Sequence, residues 1–276
     1  LYEIINEYST DTFYENNTTL ILGARCIDGV VLVADTKITT IYDVGRRYNY
    51  GKKITGELQG ILTGFSGHKG VFEVFAMKLR DYVSSTTLAN REKYLAQRLI
   101  GLRKEPDFSP TIEQVRFQIT QIQSDFYNKN KKHRYRVLMG VSGQHLDGKS
   151  ILYYFDADGS CMPVIEPVAI GHGSPYATYF LKLYWDSKQT TMKQFAQLGD
   201  FIIRFVGDDK IRLDDSVGLD KKDPYPQIIY IPDDVTICGL DQNGKQRFEH
   251  IPTRSDLRAF KSYSKNKLKT LHGQPF

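Results

Sequence analysis

Two adjacent hydroxyls, Thr18 and Thr19, stand directly ahead of an apolar run, and a carboxylate, Asp35, closes a second run sixteen residues beyond Thr19. The lysine pair Lys52-Lys53 follows after Gly51. A threonine hydroxyl is a weak nucleophile until a base takes its proton. A free α-amine, with a pKa of about 7.7–8.0, suits that task at neutral pH. In a chain that starts at threonine, base and nucleophile share one residue. A nearby lysine ammonium lowers the pKa of hydroxyl and amine alike, and a carboxylate at the end of the adjacent strand would hold that lysine in place. The chemistry on offer is attack of a hydroxyl on a carbonyl.

The elements that must position these groups are legible as blocks. "TLILGARC" and "GVVLVADT" are β-branched runs joined through Asp28-Gly29, a strong hairpin signal. A second strand pair is expected at Lys52 to Thr55 and from Gly60 to an end at Gly64. Val71, Val74, Phe75, Lys78 and Tyr82 recur at helical spacing, and "NREKYLAQRLIGLRK" predicts a separate second helix. A third opens with Ser109 as N-cap and Pro110 at its first position. Strands return in "YRVLMGVSG", "SILYYFDADG" and "MPVIEPVAIG", followed by helices over about 175–186 and 191–206. "PQIIYIP" and "DVTICGL" read as closing strands, and Ser255 as the cap of a last helix. Such blocks predict an α+β fold, a four-layer αββα sandwich of two antiparallel sheets with helices on both outer faces.

Composition narrows the function classes. With 276 residues, 41% of them hydrophobic, the chain can bury a full core, and a net charge of +5 is a mild excess. The basic run from Lys129 to Arg134 reads as a solvated loop, so no nucleic-acid partner is expected. Cys26, Cys161 and Cys238 are too dispersed for a disulfide framework or a metal site. They fit a reducing compartment, and the expected location is cytoplasmic. No apolar stretch approaches the ~20 residues of a membrane span, and the acidic N-terminus is no signal peptide. Leu1 is not an initiator, which reads as a processed or partial chain. No cofactor or metal is expected.

The intervals from Thr19 to Gly23, Asp28 and Asp35, together with "GKK", "ILTGFSG" and "GHGSP" at Gly171 to Pro175, resemble the β-type subunits of the proteasome and their N-terminal-nucleophile hydrolase relatives. Only Thr19, not Thr18, keeps the family's intervals. The resemblance implies Thr19 as nucleophile, Lys53 as its cation, Asp35 as the group that holds the lysine, and the Gly64 N–H as oxyanion donor. It also implies polypeptide substrates and a ring built with other proteasome-type subunits. Residues 1–18 resemble a propeptide, 19–252 the hydrolase domain, and 253–276 a C-terminal helical extension.

Three departures stand out. The residue before Thr19 is a β-branched threonine where the family has glycine. His172 stands where the family has a serine, either as a turn histidine or as a proton relay. In "LDDSVGL", Asp214 matches the family's aspartate, but its serine partner is replaced by Val217, with Ser216 one residue off. A non-catalytic structural or assembly subunit, and a ligase-like enzyme passing the acyl group to an amine, therefore stay open beside a threonine endopeptidase. An α-type subunit fits less well, because "LYEIINEYSTDTFYENN" lacks the α-type N-terminal signature.

Overall fold

A computed structural model describes residues 19–42, 45–58, 60–67, 69–96, 111–129, 135–142, 149–208, 211, 213–233 and 251–272. The first sheet has strand order β10-β1-β2-β11, with β1 Ile21–Cys26, β2 Gly29–Ala34, β10 Val168–Ile170 and β11 Gln227–Pro232. The second has order β5-β6-β7-β8-β9, from β5 Ile54–Leu58, β6 Ile61–Ser66, β7 Arg136–Val141, β8 Ile151–Phe155 and β9 Cys161–Val164. Every pairing in both is antiparallel. Between them in sequence, β3 (Lys37–Tyr42) and β4 (Gly45–Tyr50) form a separate two-stranded ribbon. The hydrophobic pattern does not single out that ribbon.

Three cores show the layering. Ile21, Val30, Leu32, Leu62, Leu138 and Leu152 fill the space between the two sheets. On the far side of the first sheet, Leu22, Val31 and Val33 meet α3 (Ser174–Tyr184), α4 (Met192–Val206) and α5 (Arg254–His272) through Phe180, Phe195, Phe201 and Phe260. Beyond the second sheet, Phe65, Val137 and Phe155 meet α1 (Lys69–Ala96) and α2 (Ile112–Lys129) through Phe75, Val115 and Ile119. The order is helix, sheet, sheet, helix, as expected. Both faces of β1 and β2 are buried, so these strands read as continuous apolar runs instead of alternating ones. Each fully buried Leu, Ile or Phe contributes about 1.5–3 kcal/mol.

Several boundaries differ from the sequence expectation. The two helices expected on either side of residues 84–89 are one, α1, which runs through the serines and threonines to Ala96. Ser85 Oγ donates to the Tyr82 carbonyl at 3.0 Å, so a hydroxyl that could disrupt the helix is satisfied within it. Ser109 and Pro110 lie outside the described residues. The cap of α2 is Thr111, in a reciprocal box with Gln114 at 2.8 and 3.3 Å. Thr253 caps α5 through Asp256, so Ser255 falls inside the first turn. "DVTICGL", with Cys238, lies outside the described residues from residue 234 on.

The C-terminal helix belongs to the helical layer. Phe260 is buried in the outer core, and Ser264 donates to the buried Asp200 of α4. Arg204 grips Asp200 with two bonds of 2.8 and 2.9 Å and donates to the Pro224 carbonyl at 2.7 Å. No described helix is long and apolar enough to cross a membrane.

Candidate active site at the head of the first strand

Thr19 lies two residues ahead of Ile21, the first residue of β1, and Asp35 immediately follows β2. The hairpin register, Ile21 opposite Ala34, brings the two ends side by side. Asp35 N–H donates to the Leu20 carbonyl at 3.0 Å, and Leu20 N–H returns a bond to Asp35 Oδ1 at 2.8 Å. The carboxylate thus clamps the backbone one residue beyond Thr19. Its other oxygen accepts the Gly218 N–H at 3.3 Å.

Lys53 enters from the other sheet, just ahead of β5. Its backbone is fixed by Gln227 Oε1, which accepts Lys53 N–H at 2.6 Å, and by Phe65 N–H, which donates to its carbonyl at 3.1 Å. The ammonium reaches Asp35 Oδ1 at 2.6 Å and also donates to the Lys37 carbonyl. Thr19, Asp35 and Lys53 are all buried, Asp35 completely. Burial pushes the Lys53 ammonium below the usual lysine range, while the adjoining Asp35 charge opposes that shift. Burial likewise pushes the Asp35 carboxyl up, against the pull of Lys53 and the Leu20 N–H. The negative charge of Asp214 also favours the Lys53 ammonium.

The far wall is the turn Gly171-His172-Gly173 that opens α3. Gly171 has φ of +101°, a conformation reserved for glycine, and a Cβ there would sit 2.0 Å from the Thr19 carbonyl oxygen. His172 Nδ1 lies 2.8 Å from Asp214 Oδ2. The other Asp214 oxygen accepts the Ser216 N–H at 2.9 Å and the Ser216 hydroxyl. Burial works against ionisation of Asp214, but the His172 and Ser216 hydrogen bonds outweigh it and hold the carboxyl below the usual carboxylate range. Ser216, one residue off the expected position, thus makes the contact to Asp214, while Val217 packs in the apolar core.

Gly64 has a different place from the one expected. It lies inside β6, which runs on to Ser66, and is paired with Ile54 on one side and Leu138 on the other. Phe65 N–H points at Lys53, so by strand alternation the Gly64 N–H points into the ladder with β7. A Cβ at Gly64 would sit 3.1 Å from Ile21 Cγ2, so close packing between the sheets accounts for the glycine. A ladder N–H is committed to its strand partner, so the Gly64 N–H is not placed to meet an oxyanion. Thr18 lies outside the described residues.

Sequence reasoning had no signal for the backbone groups of Leu20, Lys37 and Gly218 that hold Asp35 and Lys53. Their contribution depends on chain path, not residue type.

The sequence profile of the proteasome subunit family matches residues 15–214. Comparison with curated proteins finds no match. Among solved structures, the chain is similar to the Anbu (Gly-1) mutant from Hyphomicrobium sp. strain MC1, with a TM-score of 0.63 and 13% identity, over 94% of this chain and 99% of that one. At that identity the likeness concerns the fold alone. The family match spans most of the chain, including Thr19, Asp35, Lys53, His172 and Asp214: the chain belongs to the proteasome subunit family.

Proposed function

We propose that the protein is a threonine-type endopeptidase in which Thr19, once it is the first residue, attacks peptide carbonyls. The observation that carries this reading is the buried Lys53 ammonium, 2.6 Å from an Asp35 oxygen that also holds the backbone next to Thr19. A buried ion pair is weak support for stability as such, but this one is tied through Asp35 to the residue next to Thr19, and a nearby cation lowers the barrier to deprotonating a hydroxyl. The Thr19 α-amine takes the hydroxyl proton, Lys53 favours the alkoxide, and Asp35 keeps the lysine in place. Peptide hydrolysis then proceeds through an ester on Thr19. On β6, an oxyanion donor would have to come from beyond Ser66, where the ladder ends.

Family membership supports polypeptide substrates and assembly with other proteasome-type subunits, and the free Cys26 and Cys161 fit a reducing compartment such as the cytoplasm. One sequence feature favours a second reading, a non-catalytic subunit: the β-branched Thr18 is poorly suited to self-cleavage ahead of Thr19. Intact mass of the purified protein, with hydrolysis of fluorogenic peptides by wild type and Thr19→Ala, separates the two. The peptidase reading requires a chain beginning at Thr19 and loss of hydrolysis in the variant. Unchanged assembly activity in Thr19→Ala establishes the structural role instead.

A further inference from the structure

His172 sits between two glycines that press on the head of the first strand, and a buried carboxylate, Asp214, is directed at it. A Cβ on Gly171 would meet the Thr19 carbonyl, and one on Gly173 would lie 3.4 Å from Leu20 Cβ. The His172 backbone therefore crosses directly beside Thr19.

Its side chain is 57% exposed, while the Asp214 side chain that receives Nδ1 at 2.8 Å is 1% exposed. Burying a carboxylate is costly unless it is fully hydrogen-bonded, and Ser216 completes its partners. A solvated turn histidine needs no such support. With Nδ1 donating to Asp214, Nε2 is the nitrogen that exchanges a proton.

We infer that His172, aimed by Asp214, carries the proton of the Thr19 reaction from the nucleophile to the leaving amine. This rests on Thr19 being the nucleophile. As Thr19 Oγ1 bonds to the substrate carbonyl carbon, its proton passes to the Thr19 α-amine and on to His172 Nε2. When the carbon–nitrogen bond breaks, Nε2–H delivers that proton to the departing amine. Water then adds to the acyl carbon and gives its proton to Nε2. The carbon–Oγ1 bond breaks, and the proton returns to Oγ1. Water is the sole co-reactant. Asp214, from the loop before β11, is the charged group bonded to His172, and it also acts on Lys53 before β5, whose other charged neighbours are Asp35 after β2 and Lys37 at the head of β3.

The test is the pH dependence of peptide turnover, and of Thr19 acylation by a peptide β-lactone, in wild type, His172→Gln and Thr19→Ala. Wild-type turnover should show an acid limb from protonation of Nε2. His172→Gln should turn over about 100-fold more slowly and lose that limb, with KM unchanged and the rate taken per folded molecule. A wild-type rate and pH profile in His172→Gln, with Thr19→Ala inactive, overturns the inference and leaves the proposed function standing. Wild-type turnover in Thr19→Ala, or neither acylation nor turnover in wild type, overturns the proposed function and the inference with it.

Discussion

Asp35 and Lys53 meet at 2.6 Å across the two sheets, with both side chains buried. The lysine arrives from the head of β5 and the aspartate from the foot of β2, so this single contact fastens one sheet to the other beside Thr19. The same Asp35 oxygen accepts the Leu20 N–H at 2.8 Å. The ion pair and the placement of Thr19 are therefore coupled through one atom.

Lys53→Met leaves the Asp35 charge buried without its cation, and unfolding by denaturant should show a loss of about 3–5 kcal/mol. Lys53→Met combined with Asp35→Leu should recover much of that stability, since an apolar pair can replace a buried ion pair. Peptide hydrolysis should stay lost in both. Activity in the double variant would detach the pair from the chemistry.

Gly171→Ala forces a side chain onto the Thr19 carbonyl at a backbone angle unsuited to alanine. Strain of about 1–3 kcal/mol is expected from the angle alone, and the clash adds to it. Acylation of Thr19 by a β-lactone should slow by at least an order of magnitude, measured per folded molecule. A wild-type acylation rate would show that the turn does not position Thr19.

Asp214 fixes the sign of one pH effect. Its folded pKa lies below the ordinary value, so its ionised form stabilises the fold above about pH 3.9, the unfolded value. That contribution is lost as pH falls through the lower folded value. Ser216→Ala removes a hydrogen bond to the charged form and should cost about 1–3 kcal/mol at pH 6–7. The gap to wild type, followed by calorimetry, should narrow on acidification. A gap independent of pH would mean that Ser216 acts without reference to the Asp214 charge.

Asp200→Asn breaks the cluster that joins α4, α5 and the loop reaching Pro224. About 3–5 kcal/mol should be lost, because Arg204 is left without its buried carboxylate. Arg204 also holds the Pro224 carbonyl, downstream in the loop that carries Asp214 and Gly218. Hydrogen exchange over residues 213–226 should accelerate in the variant. Unchanged protection there would confine the cluster to helix packing.

What was legible in the sequence follows from distance along the chain. The β1–β2 hairpin, its Asp28-Gly29 turn and the helix capped by Thr191 announce themselves within a few residues. The four-layer order followed from blocks of like elements. Gly64 was misread because a glycine near the end of an apolar run looks the same whether it closes a strand or lets two sheets approach. The β6 register with β5 and β7 decides which, and no local pattern reports that register. His172 and Asp214 are far apart in sequence, so their 2.8 Å contact was out of reach of spacing. The family's aspartate and serine positions hinted at it. Ser216 was a near miss, because a loop can present a hydroxyl from either of two neighbouring positions.

The most direct test of the central claim is peptide mapping by mass spectrometry after brief treatment with a peptide β-lactone. The account predicts a single acyl adduct on Thr19 in a chain whose first residue is Thr19, abolished in Thr19→Ala along with hydrolysis. An adduct on another residue, or hydrolysis that persists in Thr19→Ala, would contradict it.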